Sequence, residues 1–565
     1  MIEKSIISHF LFTKSLSFEN MHHSPITSIL ISLFFILSFN GPTMAADSQD
    51  TFQLPSPLPK WPPGGGFASG TIDLGGIQVR QVTTFRKIWA TNAGGPDNLG
   101  TTFYDPTAIP QGFTSLGSYA QPNNIPLFGH VLVAKDTSKN ISKPTLTTPI
   151  DYTLVWSSES LDVEKDGEGY VWLPTAPDGY RSVGYIITDS SVKPALDRVG
   201  CVRADFTDTP NTTASLEKLY DIDLDGLNVY GSLGGFRVRN RNVGNLKSNL
   251  SDSMPNLNQI EALIQAYSPV IYFHPDEPFL PSSVDWFFQN GALLYHKGNE
   301  SKPDPIQRNG SNLPQGGSND DTYWLDLPLD GSSKDRVKKG DLQNASAYFH
   351  VKPVSGGLFT DIAIWVFYPF NGGARAKVEF INMSLGKLGE HVGDWEHVTL
   401  RISNFNGELN SVFFSQHGWG KWVSASGLEY HTGNKPIVYA SLHGHASYPK
   451  PGCVLIGSGG VDIGVRDDTD KSDKVMDTGV RAVVVATEYM AGAVVEPLWL
   501  NYERKWGPKI DYDVEKEIKK MKRVMIGKLK KAFERFVESL PNEMLGEDGP
   551  TGPKVKVSWS GDECV

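Results

Sequence analysis

The residues with the clearest chemical potential form the heptapeptide His-Val-Gly-Asp-Trp-Glu-His at positions 391–397, which holds two carboxylates and two imidazoles. The apolar residues that follow it predict a β-strand. Alternate side chains of a strand point to the same face, so Asp394 and Glu396 should share a face with Val398 and Leu400, whereas His397 lies on the opposite face. Two carboxylates are therefore expected on the apolar side of one strand.

A buried carboxylate is costly unless a cation or strong hydrogen-bond donors compensate it, and two close carboxylates also repel each other. A divalent metal ion bound by His391, Asp394 and Glu396 would supply the missing positive charge. The alternative is a network without metal, in which Arg375 or Arg401 pairs with the acids and the histidines are simply hydrogen-bonded. The sequence leaves both hypotheses open.

Further side chains in similar strand-end positions are candidates for the same pocket. They are His274, Asp276, His397, His417, His443 and His445. Residues i and i+2 of a strand point the same way, so His443 and His445 can converge on one ligand. Mixed oxygen and nitrogen donors suit zinc, and magnesium or calcium where water completes the coordination. We therefore predict a divalent metal ion (magnesium, calcium or zinc), and no catalytic residue is assigned.

These side chains must be positioned by strands, and apolar runs predict where those strands lie. The runs are at 270–274, 347–352, 362–368, 396–402, 411–416, 437–442 and 480–486, preceded by a short helix at 259–267. Helical spacing of apolar residues predicts one long helix at 512–540, rich in lysine. Both a docked helix with a solvated lysine face and a membrane-surface or partner helix fit this pattern. We expect residues 258–565 to form a β-sandwich-like module that ends in this helix.

The N-terminal half contains an internal repeat. Residues 85–134 and 152–203 each contain a strand ending in Trp, a Pro-rich corner, a Gly-aromatic pair, a second Gly and another β-rich run. Glycine in such strands marks bends, and proline confines its neighbours to edges and corners. We predict a pseudosymmetric, prism-like β module at 51–206, with a third sheet drawn from flanking segments. The polar stretch 207–257 is predicted to be a linker.

Residues 1–50 are expected to lie outside the fold. An apolar run at 26–39 is followed by small residues. The run is shorter than the roughly 20 residues of a membrane span, so it favours a signal peptide, although a plain N-terminal extension fits equally well. Localisation is therefore open between the cytoplasm or a peripheral endomembrane and the secretory pathway.

Composition supports a mainly β protein, because Gly 56, Pro 37 and 11% aromatic residues are typical of turn-rich β folds. The net charge of −11 argues against nucleic acid as the main partner. The three cysteines, far apart in sequence, exclude a disulfide framework and a Cys-rich zinc site.

Several long motifs resemble the plant proteins of the vacuolar protein sorting-associated protein 62 family. They are FQLPSPLPKWPPGGGFASGTIDLGG from position 52, YFHPDE from 272, HVGDWEHVTLRISNFNGEL from 391, HGHASYPKPG from 443 and LNYERKWGPKI from 500. The resemblance covers residues 52–562. It implies a link to vacuolar trafficking but no particular reaction.

A second resemblance covers residues 362–450. An aromatic strand ending at Tyr368, the His-x-x-Asp-Trp-Glu motif and a late His443 follow the order found in the necrosis- and ethylene-inducing-like cytolysins. That resemblance implies a β-sandwich in which a divalent ion, at the base of a surface pocket, helps to bind the sugar head of a plant sphingolipid. It places His391, Asp394 and Glu396 at the metal centre, and Asn371, a weaker ligand, where those proteins have an acid.

Three functions follow from these observations. The first is a non-enzymatic protein that binds a membrane lipid head group or a glycan at a metal-floored pocket, with a membrane surface or glycolipid as partner. The second is a metal-dependent hydrolase, in which the ion activates water. The third is a secreted, defence-type membrane-active protein. The absence of known catalytic signatures favours the first, and no protein partner is predicted.

Overall fold

The structure is a computed structural model of the 565-residue chain. It describes residues 51–139, 142–208, 222–224, 227–232, 235–238, 245–246, 252–378, 381–456, 463–509, 513–523, 527–538 and 549–560. The predicted N-terminal extension, 1–50, lies outside the described residues. The described part is mainly β, as the sequence predicts.

Short antiparallel strands in the N-terminal half repeat in one order. They are β1 (Ile72–Asp73), β2 (Ile77–Val82), β3 (Phe85–Thr91), β4 (Thr101–Pro106), β5 (Thr114–Ser115), β6 (Tyr119–Pro122), β7 (Val131–Asp136), β8 (Leu146–Thr147), β9 (Asp151–Ser157), β10 (Tyr170–Thr175), β11 (Tyr180–Arg181), β12 (Ile186–Thr188) and β13 (Cys201–Arg203). In the first copy β3, β4 and β6 form a sheet while β5 pairs with β7; in the second, β9, β10 and β12 form a sheet while β11 pairs with β13. The predicted repeat is thus confirmed in its strand pairing.

A third three-stranded sheet follows these two copies in the chain. Its strands are β14 (Thr207–Asp208), β15 (Ile222–Leu224), β16 (Leu227–Ser232), β17 (Gly235–Val238) and β18 (Asn245–Leu246). Strands β15, β16 and β17 form the sheet, and β14 pairs with β18. These strands lie in the stretch predicted as a linker. The pattern missed them because residues 207–246 contain no Trp and a single Pro, the two residue types that mark the other copies.

The three sheets enclose a common core. Trp89 of β3, Val171 of β10 and Phe236 of β17 pack in one apolar cluster. Trp156 of β9 lies against it, with its ring centroid 5.5 Å from that of Trp89. The matching tryptophans of the two repeats therefore meet in one environment, as expected for a prism-like module.

The C-terminal half is built around two larger sheets. Its strands are β19 (Val270–Phe273), β20 (Leu293–His296), β21 (Asp304–Pro305), β22 (Tyr323–Asp326), β23 (Ala347–Val354), β24 (Phe359–Asn371), β25 (Arg375–Val378), β26 (Ile381–Ser384), β27 (His391–Ser403), β28 (Leu409–Gln416), β29 (Trp419–Ser424), β30 (Ile437–Ala440), β31 (Ser447–Tyr448), β32 (Gly452–Ile456), β33 (Ile463–Thr469), β34 (Val475–Asp477) and β35 (Ala482–Thr487). One sheet has the order β29-β28-β27-β24-β23-β35 and the other β31-β30-β19-β34. Smaller sheets have the orders β21-β20-β22 and β26-β25-β33-β32.

The two larger sheets pack face to face. Ile364 of β24 and Leu400 of β27 share an apolar cluster with Ile271 of β19 and Val438 of β30. This arrangement confirms the predicted β-sandwich.

The outer face of the six-stranded sheet is also covered. Trp365 and Trp395 pack there against Trp499 and Trp506 from the C-terminal region. Every residue of β24 is consequently buried. Burial on both faces explains why this strand reads as a nearly continuous apolar run rather than an alternating one.

Helices complete the fold: α1 (Leu257–Tyr267), α2 (Val284–Gln289), α3 (Gly331–Lys338), α4 (Val514–Arg523), α5 (Gly527–Glu538) and α6 (Val557–Ser560). Helix α1 begins two residues before the predicted start because Asn256 and Gln259 form a capping box. None of the helices in the described ranges is long and apolar enough to cross a membrane.

The stretch predicted as one C-terminal helix contains two, α4 and α5. Gly527, the first residue of α5, has a φ of +58°, in the left-handed region that a continuous α-helix does not visit. Met521 of α4 and Phe533 of α5 pack on Ala376 of β25 and Val465 of β33. Both helices are therefore docked through their apolar sides.

The two halves share apolar contacts. Ile77, Leu132 and Val202 pack in one cluster with Val354 and Phe359 at the ends of β23 and β24. Residues Thr51–Val565 form one unit. The predicted module boundaries stay predictions.

A buried ion pair within the six-stranded sheet yields a stability prediction. Arg401 and Asp361 lie opposite each other on β27 and β24, and two hydrogen bonds of 2.8 Å join them. Removing one member of a buried pair typically costs ~3–5 kcal/mol, because the other charge stays buried. We expect Asp361→Ala to lower the free energy of unfolding in urea by that amount. The exposed Asp276→Ala should change it by less than about 0.5 kcal/mol, and equal effects of the two variants would contradict the prediction.

Candidate functional site

The paired strands β24 and β27 position the predicted carboxylates. Asp394 lies opposite Tyr368 in the register. Val398 and Leu400 point into the sandwich, whereas Trp395 points to the outer face. The predicted alternation is confirmed for this strand.

Gly393 shifts this alternation by one residue. Val392 and Trp395 pack in the same outer cluster although they are three positions apart, which would put them on opposite faces of a regular strand. Gly393 has a φ of +69°, and a Cβ there would lie 2.5 Å from the carbonyl oxygen of Trp506. The shift brings His391 to the side of Asp394, where it is close enough to influence the carboxylate electrostatically.

A buried imidazole binds Asp394 directly. His445 Nδ1 lies 2.9 Å from Asp394 Oδ2, and His445 Nε2 lies 3.1 Å from the carbonyl oxygen of Phe279. The ring of His445 stacks on Tyr368, with centroids 3.9 Å apart. Three contacts therefore hold the ring in one orientation.

Glu277 lies on the other side of these histidines. Its carboxylate is almost fully buried and accepts a hydrogen bond from the backbone N–H of His443. Glu277 Oε1 lies 3.7 Å from His445 Nε2 and 3.8 Å from His443 Nδ1. His445 thus lies between two carboxylates, Glu277 and Asp394.

A second carboxylate–imidazole pair adjoins the first. His417 Nε2 lies 2.8 Å from Asp467 Oδ2, which also accepts a hydrogen bond from the Tyr448 hydroxyl. Ser415 donates a hydrogen bond of 2.8 Å to Glu396 Oε2. Glu396 raises the pKa of His417, so the two pairs lie within electrostatic reach of each other. We define the acid–histidine cluster as Glu277, His391, Asp394, Glu396, His417, His443, His445 and Asp467.

Three histidines of the cluster have unusual backbone conformations. The φ angles of His417, His443 and His445 are +48°, +70° and +54°. Non-glycine residues rarely adopt this left-handed region, and such residues concentrate at functional sites. The two loops that contain these histidines therefore hold an unusual backbone conformation of the kind found at functional sites.

Burial and neighbouring charges shift the pKa values of the cluster. Burial alone would lower the pKa of His445, but Asp394 and Glu277 raise it to about 10. Burial also opposes protonation of His417, yet Asp467 raises its pKa to about 9. These shifts favour the doubly protonated, positively charged form of both imidazoles at neutral pH.

The two adjacent acids of β27 differ. Burial raises the pKa of Glu396, and the charge of Asp394 raises it further. For Asp394, the hydrogen bond from His445 and the influence of His391 outweigh burial and lower the pKa. Neighbouring groups thus compensate the negative charge of Asp394 well, but they do not compensate that of Glu396.

Positive charge reaches the acids from sources other than the predicted arginines. Arg401 pairs with Asp361, and Arg375 Nη1 lies 3.2 Å from Asp468 Oδ2. Histidines and the ammonium group of Lys556 act on Asp394 and Glu396 instead. The network hypothesis is therefore wrong in naming arginine as the partner.

Some predicted pocket residues lie apart from the cluster. His397 stacks on Trp365 at the outer face, with centroids 4.4 Å apart. His274 accepts a hydrogen bond from the backbone N–H of exposed Asp276 within its own turn. Asn371 lies opposite His391 in the register, but its side-chain amide donates to the carbonyl oxygens of Gly372 and Gly389.

Sequence reasoning missed Asp467 as a site residue, and it noted Glu277 only beside His274 and Asp276, without making it a pocket candidate. Glu277 follows Asp276 in the Tyr-Phe-His-Pro-Asp-Glu motif, which offered a signal. Asp467 lies in β33, and no sequence motif beside it indicates a functional site. Only the fold brings it to His417.

The donors of the cluster fit a divalent metal in their chemistry, since they are carboxylate oxygens and imidazole nitrogens. Their arrangement is that of a hydrogen-bonded network. In the part of the chain that the structure describes, no group of three or more His, Cys, Asp or Glu side chains is placed to hold one ion. Metal binding by His391, Asp394 and Glu396 stays a prediction.

The family model for vacuolar protein sorting-associated protein 62 matches residues 48–233 and 237–563. The chain belongs to this family. The vacuolar protein sorting-associated protein 62 of Saccharomyces cerevisiae is 26% identical over 216 residues, which are 33% of this chain and 44% of the yeast protein. The chain thus spans less than half the length of this curated relative.

Solved structures add little to this assignment of the chain to the vacuolar protein sorting-associated protein 62 family. GNIP1Aa from Chromobacterium piscinae is 17% identical, with a TM-score of 0.20, over 32% of this chain and 35% of its own. Necrosis and Ethylene inducing Protein 2, from the causal agent of cocoa's witches' broom disease, is 12% identical, with a TM-score of 0.19, over 40% and 72%. Neither score supports a conclusion about shared fold or function.

The raised pKa of His417 in this family member predicts a pH-dependent stability. The group is protonated up to about pH 9 in the fold but only to about pH 6.5 when unfolded, so its contribution is complete below pH 6.5 and is lost as the pH rises to about 9. We expect His417 to account for about 1–3 kcal/mol of the fall in the free energy of unfolding over this range, measured in chelator.

The same measurement on His417→Gln should give a shallower pH slope. His431→Gln is the matched control, because this histidine is exposed and outside the cluster. Identical slopes for wild type and His417→Gln would contradict the assignment.

Proposed function

We propose that the chain is a non-enzymatic binding protein that recognises a membrane lipid head group or a glycan at the acid–histidine cluster, together with a divalent cation. The supporting observation is an excess of negative charge. Four carboxylates meet two protonated imidazoles and one nearby ammonium group, and the pKa of Glu396 is raised by burial beside Asp394. A cation or a polar ligand would supply the missing compensation.

The cluster has a buried side and a partly exposed side, which suits binding. Glu277, Asp394 and His445 are buried. His391, Glu396 and His417 are only partly buried. The buried residues would fix the geometry, and the partly exposed ones would meet the ligand.

The class of ligand follows from the carboxylates of the cluster. Carboxylates accept hydrogen bonds from sugar hydroxyl groups, and a bound cation would attract a phosphate oxygen or a hydroxyl oxygen. Asp394 and Glu396 would hold the cation, with His391 beside them. The role of a cation here is binding, and no bond-breaking step is assigned to it.

The family name links the yeast relative to vacuolar protein sorting, and we extend that link to this chain as part of the proposal. A protein that recognises a head group or glycan would act at an endomembrane surface. A metal-dependent hydrolase and a secreted membrane-active defence protein stay as alternatives.

The proposal predicts that calcium, magnesium or zinc stabilises the protein against heat. A ligand at about 100 times its Kd stabilises the folded state by about 2.7 kcal/mol. We expect such a shift for the wild type, reversed by chelator. Asp394→Asn should lower stability and abolish the response, while exposed Asp276→Asn should behave as wild type.

Glu396→Gln is the second variant, because its side chain is partly exposed and its loss disturbs the core less. It should reduce cation-dependent binding to a lipid and glycan array while the protein stays folded. If no cation shifts the melting temperature and no array spot depends on cation, the proposal is rejected. Turnover of an array ligand would favour the hydrolase.

A further inference from the structure

A basic surface lies on the two C-terminal helices, far in sequence from the acid–histidine cluster. Lys516, Lys520 and Arg523 of α4 are spaced by four and three residues, and Lys528, Lys531 and Arg535 of α5 by three and four. Residues with this spacing share one side of a helix. All six side chains are exposed. We call these six residues the basic face.

The basic face points away from the protein core. Met521 of α4 and Ala532, Phe533 and Phe536 of α5 pack in the same apolar cluster. Because both helices bury their apolar sides in one cluster, their exposed sides face outward from it together. The described apolar side chains of both helices pack in this cluster, so the contact that the described outward side offers a partner is electrostatic.

The charge of the two helices is opposite to that of the whole chain. Helices α4 and α5 contain nine basic and four acidic residues, a net charge of +5, in a chain of net charge −11. Ion pairs engage Lys519 with Glu515, Lys520 with Glu517 and Lys522 with Glu534.

Most of the basic face lies outside these ion pairs. Among the residues that the structure describes, no ion pair joins a carboxylate to Lys516, Arg523, Lys528, Lys531 or Arg535. Lys520 of the basic face pairs with Glu517. The positive charge is therefore available to an external partner.

We propose that the basic face docks the protein on an anionic lipid bilayer. A bilayer is the partner whose chemistry fits best, because it presents a flat array of negative charges to a broad, exposed, positively charged side of two helices. Each Lys or Arg near such a surface strengthens binding by roughly fivefold, and the attraction is lost at high salt. None of the large apolar side chains that the structure describes in α4 and α5 is exposed, so binding is peripheral and reversible.

This inference goes beyond the proposed function, because it concerns another surface and needs no cation. The two are compatible in the fold. The helices rest on β25 and β33, and β25 lies in the connection between β24 and β27, the strand that bears His391, Asp394 and Glu396.

The test is sedimentation of the full chain with phosphatidylcholine vesicles that contain or lack phosphatidylserine, in chelator. We expect binding only to the phosphatidylserine vesicles, and its loss at about 0.5 M salt. The variant Lys528→Gln/Lys531→Gln/Arg535→Gln should reduce the partition coefficient about 100-fold. A matched variant with three exposed lysines neutralised elsewhere, Lys297→Gln/Lys302→Gln/Lys339→Gln, should bind as wild type.

Each remaining outcome overturns the inference. Equal binding by the helix variant and wild type would place the contact elsewhere. Loss of binding in chelator would mean a cation-bridged contact. Binding to heparin or polyglutamate, with none to phosphatidylserine vesicles, would assign the surface to a soluble polyanion. Because Glu396→Gln should keep its vesicle binding, failure of the cation site and failure of the basic face can be told apart.

Discussion

The pairing of β24 with β27 is the constraint on which the rest of the site depends. Apolar clusters cover this strand pair on both faces, so any charge on it lies in a medium of low dielectric constant. At one end, Asp361 and Arg401 neutralise each other across the two strands. At the other end, Asp394 and Glu396 have no such partner within the pair. The compensating positive charge must therefore come from outside the strand pair, and the loops supply it through histidine side chains.

This demand explains the strained backbone of those loops. His417, His443 and His445 occupy left-handed conformations, each of which costs about 1–3 kcal/mol. The imidazoles of His417 and His445 form hydrogen bonds with buried carboxylates, and the backbone N–H of His443 does so with Glu277. Hydrogen bonds to charged groups contribute about 1.5–3 kcal/mol, which is enough to offset the strain.

Local patterns predicted what local geometry controls. Strand parity placed Asp394 and Glu396 on the inner face and His397 on the outer face, because alternation depends only on neighbouring residues. The contact between Asp467 and His417 has no such signature, since it joins residues 50 positions apart. For a related reason, the sequence did not predict where the third sheet of the prism-like module lies or the break between helices at Gly527. Composition reports the average character of a stretch, whereas a change of chain direction can depend on one backbone angle.

The small sheet β26-β25-β33-β32 connects the two charged regions of the C-terminal half. Strand β33 contributes Val465 to the apolar cluster beneath α4 and α5, and Asp467, two residues later, to the acid–histidine cluster. Two residues of a strand span about 7 Å, so the support of the basic helices and the carboxylate that keeps His417 protonated are fixed to one short rigid segment. The acid–histidine cluster and the support of the basic face thus share one strand, β33.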